Sequence, residues 1–336
     1  MTAFTFTPVE LPAGSATLRA EVRDFLAHEL AGRSALERAH SWAAFDAEFS
    51  RKLGARGWIG MTWPRQYGGH ERSAIERYVV LEELLAAGAP VGAHWIADRQ
   101  SGPLLLRYGT EEQRRRYLPA IVRGELYFCI GMSEPNAGSD LAAVKTRAVR
   151  ADDGWRITGQ KIWTTHAQHA HVMIALVRTE SPAAAAAGER PNRHAGLSQF
   201  LIEVSAPGVT VRPIVDLTGD AHFNEVFLDD VHVGDQMLIG RAGEGWTQVT
   251  SELALERSGP ERYLSSFRLF FELLHAAGSE PSAPVRSAIG RMSAELWTLR
   301  QMSLSVAGQL AAGQDPGLEA AIVKDLGNTF EQALPR

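Results

Sequence analysis

The spacing of apolar and polar positions changes twice along the chain. Residues 15–126 show the three- and four-residue spacing of amphipathic helices, and residues from about 126 to 235 show the β-rich runs and turn residues of strands. Helical spacing returns beyond residue 240 and continues to the end. This order predicts an α+β fold with a helical N-terminal domain at 1–126, a central β domain at 127–236 and a helical C-terminal domain at 237–336.

The first predicted helix lies in SATLRAEVRDFLAHEL, which begins at residue 15. Its apolar residues Leu18, Val22, Phe25 and Leu26 fall on one face, as expected of an amphipathic helix. Ser15 precedes the first of them and is the candidate N-cap, because a serine side chain readily accepts a hydrogen bond from a free amide of the first turn.

Three further helical segments are predicted in the N-terminal region. Two of them end at glycines, Gly57 and Gly88, which commonly follow the last turn of a helix. The third, TEEQRRRYLPAIVRGE at 110–125, has an acidic first turn, and its arginines at 114–116 are interpreted as a solvated face rather than an anion site. Between the first two lies WIGMTWPRQYGGH at 58–70, whose glycine, proline and aromatic content predicts an ordered loop.

The central region shows the signals of a β domain. Asp153 and Gly154 separate two β-rich runs and predict a hairpin. Further strands are predicted in HVMIALVRT, SQFLIEVS, GVTVRPI and NEVFLDDVHV. The alanine-rich insert SPAAAAAGERPNRHAG at 181–196 is predicted to be a mobile surface loop.

Composition and charge exclude several classes of protein. The net charge of −5 offers no strong positive field for nucleic acid, and the single cysteine, Cys129, excludes an internal disulfide. The N-terminus lacks the basic start and apolar core of a signal peptide, and no apolar run is long enough to cross a bilayer. We therefore predict a cytoplasmic protein with no membrane span and no nucleic-acid partner.

Two motifs in the β region resemble the signatures of the acyl-CoA dehydrogenase family. CIGMSEPNAGSDLAAVKT at 129–146 is similar to the family's aliphatic-Thr/Ser-Glu-Pro-x-Ala-Gly-Ser-Asp run, and GQKIWTTHA at 159–167 to its Gly-x-Lys-x-Trp-Ile/Thr-Thr/Ser run. WPRQYGG at 63–69 and FNEVFLDDVHV at 223–233 resemble two further family segments. The resemblance extends from residue 15 to about 330. It implies the family's fold, with FAD held between the β domain and a C-terminal helical bundle.

The resemblance also implies which residues hold the flavin. Small residues and hydroxyls in the first motif and the aromatic plane of Trp163 in the second suit an isoalloxazine ring. The hydroxyl of Thr165 is expected near flavin N5, and Ser139 is expected to contact bound nucleotide or CoA. Taken alone, Trp163 could be a core residue and Ser139 a turn cap. The expected cofactor contacts are Ile130, Met132, Ser133, Gly138, Ser139, Trp163, Thr164 and Thr165.

The segment LALERSGPER at 253–262 contains the predicted catalytic base. Glu256 follows Val249 and Leu253 on one face of a predicted helix, where a carboxylate is unusual. The segment resembles the Leu-Glu-Arg arrangement of isovaleryl-CoA dehydrogenase. It implies that Glu256 removes the α-proton of an acyl-CoA thioester while the β-hydrogen leaves as hydride, and that Arg257 contacts CoA.

Other assignments of these charged residues remain open. Glu252 and Glu261 are the alternative bases, and Glu256 could instead form a structural ion pair with Arg257 or Arg262. An ion pair between neighbours on a helix is geometrically poor, because their side chains point in different directions.

Three histidines in THAQHAH, at 166, 169 and 171, have spacings that could place metal ligands together. No cysteine or carboxylate cluster accompanies them in the sequence, so no metal site is predicted.

The C-terminal region departs from the family pattern. HAAGSEPSAPVRSAIGRM at 275–292 lacks the Arg-x-x-Phe-Gly segment whose arginine reaches the FAD of a neighbouring subunit, and Arg286 and Arg291 are only candidate substitutes. The chain ends at NTFEQALPR, before the family's last helices. These features resemble actinobacterial acyl-CoA dehydrogenases that work as heteromeric pairs, some on CoA thioesters of steroid side chains.

We therefore expect an FAD-dependent acyl-CoA dehydrogenase that forms a homo- or hetero-oligomer and passes electrons to an electron-transfer flavoprotein. One alternative is a pairing subunit that holds little flavin of its own. Another is a flavin monooxygenase or nitroalkane oxidase on the same fold.

Overall fold

The computed structural model describes residues 4–179, 192–256 and 259–336, except for the side chains of residues 252–256. The chain divides into two compact units: Met1–Gly92 together with Leu253–Arg336, and Ala93–Glu252. The helix–β–helix order predicted from the sequence is confirmed. The boundaries of the three predicted domains stay a prediction. Most of the insert predicted at 181–196, namely residues 181–191, lies outside the described residues.

The elements follow in chain order. The helices are α1 (Ser15–Glu29), α2 (Ala35–Ala39), α3 (Ala47–Ala55), α4 (Ala74–Ala86), α5 (Gly92–Ile96), α6 (Gly102–Tyr108), α7 (Glu111–Val122), α8 (Gly245–Glu256), α9 (Glu261–Leu264), α10 (Phe267–Ala277), α11 (Ala283–Ala311) and α12 (Gly317–Ala333). The strands are β1 (Phe128–Gly131), β2 (Arg147–Ala151), β3 (Gly154–Lys161), β4 (Val172–Arg178), β5 (Leu197–Glu203), β6 (Val209–Ile214) and β7 (Phe223–Val233).

Helix α1 buries the apolar face predicted for it, but its start differs from the prediction. All four predicted apolar residues are buried. The N-cap position is Gly14, whose carbonyl accepts the first intrahelical bond from Leu18, so Ser15 lies inside the first turn and caps nothing. The hydroxyl of Ser15 is instead buried without a hydrogen-bond partner in the described part of the chain. The prediction of Ser15 as N-cap was therefore wrong by one residue.

The other N-terminal helix ends and loops match their local signals. Helices α3 and α4 end just before Gly57 and Gly88, and both glycines adopt the left-handed backbone conformation that terminates helices. The side chain of Ser73 accepts a bond from Glu76 N to form the capping box of α4. The aromatic loop at 58–70 is ordered by backbone hydrogen bonds such as Gly69 N to Pro64 O, at 3.1 Å.

Helix α4 carries two adjacent buried carboxylates that link helices of the first unit. Glu82 accepts bonds from Arg19 of α1 at 2.8 Å and from Arg300 of α11 at 2.6 Å. Glu83 pairs with Arg19 and with Arg23, the latter at 2.7 Å. Burial of these carboxylates is tolerated because each has more than one guanidinium partner.

The strands of the second unit form one mixed sheet in the order β1-β4-β2-β3-β7-β6, and β5 pairs with β4. The predicted hairpin is confirmed, because β2 and β3 pair antiparallel through Ala151 and Gly154. Strand β1 pairs with β4 in parallel, and β3 pairs antiparallel with β7. A register shift in β3 lies between Ile157 and Gly159, where a Cβ on the glycine would lie 2.7 Å from Thr146 Cα.

A single π-helical turn, Ala97–Ser101, interrupts the helical run between α5 and α6 in the second unit. Its Asp98 and Arg99 side chains are buried, and the Arg99 guanidinium lies 4.8 Å from the ring centroid of Trp95. No sequence signal was recognised for this turn, although such turns are frequent at functional sites. Among the described residues, no helix combines the length and the apolar character needed to cross a membrane.

Candidate functional site

The two motifs singled out in the sequence meet in the second unit. The first runs on from β1, and the second spans the end of β3 and the turn that follows. The amide of Ile162 donates to the carbonyl of Ser133 at 2.9 Å and joins the two backbones directly. We call this region, residues 130–139 and 159–166, the motif junction.

A buried ion pair holds the motif junction together from beneath. The ammonium of Lys161 lies 2.8 Å from the carboxylate of Glu134 and also donates to the carbonyl of Met132 at 3.1 Å. The same carboxylate accepts bonds from the backbone amides of Lys145 at 2.6 Å and Thr146 at 2.9 Å. Because the carboxylate has three hydrogen-bond donors around it, the pair meets the condition under which buried charges are tolerated.

The protonation of this pair follows from its environment. Burial lowers the pKa of the Lys161 ammonium to about 8, because loss of hydration disfavours the charged form and the charge and hydrogen bond of Glu134 oppose this effect only in part. Burial by itself would raise the pKa of Glu134, but the charge and hydrogen bonds of Lys161 and the amide donors lower its pKa overall. Glu134 is therefore ionised at neutral pH and acts as a structural anchor.

Trp163 follows the buried pair and displays its ring to solvent. Its side chain is 56% exposed, and its φ of 58° lies in the left-handed region that non-glycine residues rarely adopt. The ring of Phe223 meets it edge to face, with centroids 5.9 Å apart and an interplanar angle of 88°. A large exposed aromatic residue on a strained backbone is poorly explained by folding alone, since strain of this kind concentrates at ligand sites.

The next residue, Thr164, is fully buried and is held by Asn224 of β7. Its amide donates to the Asn224 carbonyl at 3.0 Å, and the Asn224 side-chain amide donates to the Thr164 carbonyl at 3.0 Å. The Thr164 hydroxyl and the side-chain oxygen of Asn224 are buried without hydrogen-bond partners in the described chain. Thr164 thus supports the turn that presents Trp163, and the cofactor contact of its side chain stays a prediction.

The remaining predicted flavin contacts lie on the same loops. Ile130, Met132, Ser133 and Thr165 are partly exposed, and Ser139 is exposed. The space around Gly138 is open, since a Cβ placed there would meet no heavy atom within 4 Å.

The predicted base, Glu256, is the last residue of helix α8, and the predicted CoA arginine, Arg257, follows it in the sequence. Helix α8 is confirmed and ends at Glu256, but that side chain and the whole of Arg257 lie outside the described residues, as does the side chain of Glu252. The structure therefore does not test whether Glu256 joins the motif junction. The alternative base Glu261 is buried in α9. The candidate substitutes for the arginine that reaches the FAD of a neighbouring subunit, Arg286 and Arg291, are exposed on α11.

Comparison with known proteins agrees with these motifs. The family model described as the acyl-CoA dehydrogenase N-terminal domain matches residues 14–125, and the model of the acyl-CoA dehydrogenase middle domain matches residues 129–231. The two matches together cover more than half of the chain. The chain belongs to the acyl-CoA dehydrogenase family.

The chain is similar to several mycobacterial proteins of this family. It is 36% identical over 287 residues to acyl-CoA dehydrogenase FadE34 of Mycobacterium tuberculosis, and this match covers 84% of the chain but only 38% of FadE34. Its fold matches the Tcur3481-Tcur3483 steroid ACAD with a TM-score of 0.85 at 29% identity, covering 97% of this chain and 84% of that one. The ChsE4-ChsE5 complex of M. tuberculosis matches with a TM-score of 0.80 at 29% identity, covering 96% and 82%.

Acyl-CoA dehydrogenases form an FAD-binding family, and the residues present here fit that cofactor. The motif junction offers an exposed aromatic face at Trp163, a carbonyl and hydroxyl at Ser133, and open space at Gly138. Each is a feature that a flat aromatic cofactor with polar edges requires.

Several residues that position the motif junction are not identified by the sequence motifs alone, although the motifs contain two of them. Glu134 lies in the first motif and Lys161 in the second. One charged residue of opposite sign in each motif was the sequence feature that could have predicted their ion pair. Phe223 and Asn224 come from a segment recognised only as a strand.

The histidines at 166, 169 and 171 do not form a metal site. His166 is buried, whereas His169 and His171 are largely exposed. The part of the His169 ring that the protein covers loses hydration, which lowers its pKa. Within the described residues, no group of three histidine, cysteine or acidic side chains could hold a metal ion.

Proposed function

We propose that this chain is an FAD-dependent acyl-CoA dehydrogenase that converts an acyl-CoA thioester to the trans-2-enoyl-CoA. The carboxylate of Glu256 takes the α-proton, and the β-hydrogen leaves with its electron pair as hydride, so that a double bond forms between the two carbons. When bound, FAD supplies the acceptor for that hydride at N5.

The motif junction is the observation that carries the proposal. The two motif segments, which flank the turn of the β2–β3 hairpin, are joined by the Ile162–Ser133 hydrogen bond and anchored by the buried Glu134–Lys161 pair. They present Trp163 in a strained conformation with more than half of its surface exposed, although Phe223 packs against its ring. A site that maintains strain to expose an aromatic ring is built to bind a flat ligand.

The chain's own residues have distinct tasks in the proposed reaction. Thr165 and Ser133 orient the flavin edge through their hydroxyl and backbone groups, and Ser139 with Arg257 holds CoA. Glu256 becomes an effective base when the substrate excludes water, because loss of hydration raises the pKa of a carboxylate.

An anaerobic absorbance titration of the purified, FAD-loaded chain with CoA thioesters tests the proposal. We expect the flavin band to bleach in the wild type and in Glu252→Gln, which alters a carboxylate one turn earlier on α8, but not in Glu256→Gln. Bleaching lost in Glu252→Gln and kept in Glu256→Gln would transfer the role of base to Glu252. Flavin that no thioester bleaches in the wild type would contradict the dehydrogenase assignment.

The substrate class, electron acceptor and location belong to the same proposal. Similarity to a steroid ACAD supports a CoA thioester of a steroid side chain, with fatty acyl-CoA as the alternative, so the titration panel should contain both. We propose an electron-transfer flavoprotein as the acceptor and a cytoplasmic location.

A second candidate is a pairing subunit that needs a partner to hold FAD. Similarity to the ChsE4-ChsE5 complex supports it. The flavin content of the chain purified alone separates the two: a yellow chain supports an independent cofactor site, and a chain that stays colourless after incubation with FAD supports the pairing subunit.

A further inference from the structure

A pocket of about 560 Å³ lies within the first unit, and none of its described lining residues belongs to the motif junction. Residues from α1, α2, α4 and α10 line it, together with the turn after α1. Its volume falls in the range of roughly 300–1,000 Å³ that is typical of small-molecule sites. Nothing in the proposed dehydrogenation uses it.

The charges that line the pocket do not balance. Four arginines, Arg23, Arg33, Arg38 and Arg268, face one carboxylate, Glu83. Three of the arginines already have close acidic partners: Arg23 pairs with Glu83 at 2.7 Å, Arg33 pairs with Asp46 at 2.5 Å, and Arg268 pairs with Glu272 at 2.7 Å. Within the described residues, the lining arginine without a carboxylate at ion-pair distance is Arg38, whose Nε bonds to a backbone carbonyl.

The guanidinium groups of Arg38 and Arg268 lie near each other. Arg38 donates through Nε to the carbonyl of Ala87 at 2.7 Å, a neutral partner. Burial, followed by the nearby charge of Arg268, lowers the pKa of Arg38, while Glu272 only partly opposes this effect. Two cations brought together in a partly buried pocket repel each other unless an anion lies between them.

Arg268 also has an unused donor. Its side chain is only 11% exposed, it donates through Nη2 to Glu272 at 2.7 Å, and its guanidinium carbon lies 4.5 Å from the Phe271 ring centroid. Its Nε is buried and has no hydrogen-bond partner among the described residues. A buried charged donor without a partner is costly and is typically completed by a ligand or ion.

The other walls of the pocket are apolar. Leu26 and Leu30 are buried, and Phe267 and Phe271 are partly buried on α10. Alanines of α1 and α4 leave the space between these larger side chains open. The pocket therefore offers an apolar surface beside paired guanidinium groups.

We propose that this pocket binds a small amphiphilic anion, with a carboxylate or phosphate head group between Arg38 and Arg268 and an apolar body against Leu30, Phe267 and Phe271. Planar guanidinium groups suit both head groups, because they present paired donors to two oxygens. The described residues that line it are not among those assigned to flavin and CoA, so it would act as an accessory binding site.

Calorimetric titration of the full chain with octyl phosphate and with octanoate tests the proposal and separates the two head groups. We expect one of them to bind, with affinity reduced at least about tenfold in Arg38→Gln and in Arg268→Gln, because each loses a charged hydrogen bond. Arg51→Gln, at an exposed arginine of α3 in the same unit, should bind like the wild type.

Two further titrations, with inorganic phosphate and with octanol, define the class of ligand. Inorganic phosphate should bind more weakly than octyl phosphate, and octanol should not bind measurably. Ala27→Leu narrows an exposed wall of the pocket without removing charge and should also weaken binding, so the test survives if an arginine variant fails to fold. Failure of both amphiphiles to bind, or equal binding by Arg268→Gln and the wild type, would overturn the proposal. Inorganic phosphate binding as tightly as octyl phosphate would overturn the apolar half of it.

Discussion

In the second unit, the buried ammonium of Lys161 faces the carboxylate of Glu134, whereas in the first unit the guanidinium of Arg38 lies near a second guanidinium, that of Arg268. The first pair is complete within the chain, since the surrounding donors and acceptors satisfy both charges. In the second pair only Arg268 has a carboxylate partner, Glu272, and its buried Nε has no partner among the described residues. A matched buried pair holds a scaffold in place, and our proposal is that an anion from solution completes the unmatched one.

The largest expected effect is the loss of the matched pair. Lys161→Met leaves Glu134 buried without its counter-charge, and we expect a loss of about 3–5 kcal/mol in the free energy of unfolding. Urea unfolding followed by tryptophan fluorescence measures it. Arg116→Met breaks a pair of similar length, 2.7 Å to Glu203 against 2.8 Å in the buried pair, but both side chains are about half exposed, so its loss should stay below about 1 kcal/mol. Equal losses in the two variants would contradict the structural role of the buried pair.

The second prediction concerns Trp163, which follows Lys161 of the buried pair in the motif junction. Trp163→Gly removes the aromatic surface for stacking, so FAD affinity should fall about 5- to 150-fold, equivalent to about 1–3 kcal/mol of ring stacking. The substitution also relieves the left-handed backbone conformation at this position, because glycine adopts it freely. Stability should change by less than about 1 kcal/mol, because relief of strain offsets the lost contact with Phe223. Fluorescence titration with FAD and thermal unfolding measure the two quantities.

Trp42→Gly is the control for this prediction, because Trp42 is also exposed at the surface, to 37%, and lies outside the motif junction. We expect its affinity for FAD to equal that of the wild type. A Trp163→Gly variant that binds FAD as well as the wild type would remove Trp163 from the cofactor site.

A smaller effect should appear on acidification. The pKa of Glu134 in the folded chain lies below its ordinary value of 4.5, so its contribution to stability is complete above pH 4.5 and is lost as the pH falls through the folded pKa. The loss is smaller than that of Lys161→Met, because protonation neutralises the carboxyl group without removing it. Unfolding measured as a function of pH should show a steeper acid decline in the wild type than in Glu134→Gln, and parallel declines would contradict this assignment.

The smallest effect should come from the unmatched pair. Arg268→Gln loses its ion pair with the partly exposed Glu272 but relieves repulsion with Arg38, so its stability in the absence of ligand should differ from the wild type by less than about 1 kcal/mol. Thermal unfolding without added anion checks this. A loss as large as that of Lys161→Met would show that Arg268 is a structural residue and would remove the contrast between the two pairs.

Local signals in the sequence predicted much of the fold. The hairpin at Asp153–Gly154 and the helix ends before Gly57 and Gly88 each follow from the backbone preferences of a few adjacent residues. The start of α1 was placed one residue late, because Ser15 satisfies a local capping rule that the chain does not use there. Parallel pairing of β1 with β4 joins segments about forty residues apart, and hydrophobic pattern alone does not specify such partners.

The candidate site was predictable where the motifs contain its residues, and not where it depends on contacts across the sheet. The motifs identified Trp163 and Ser133, but the edge-to-face contact of Phe223 and the hydrogen bonds of Asn224 come from β7, about sixty residues later. The burial of Thr164 was likewise not predicted. It depends on the left-handed backbone at Trp163, where the larger aromatic residue is exposed and the threonine after it is buried. Glu256 and Arg257 rest on sequence resemblance alone.

Mass analysis of the product tests the central claim most directly. The FAD-loaded chain is incubated with an acyl-CoA thioester and an artificial electron acceptor, and the molecular mass of the thioester is then measured by mass spectrometry. The account predicts a product lighter than the substrate by two hydrogen atoms, formed by the wild type and not by Glu256→Gln. A thioester of unchanged mass, or one that has gained an oxygen atom, would contradict it.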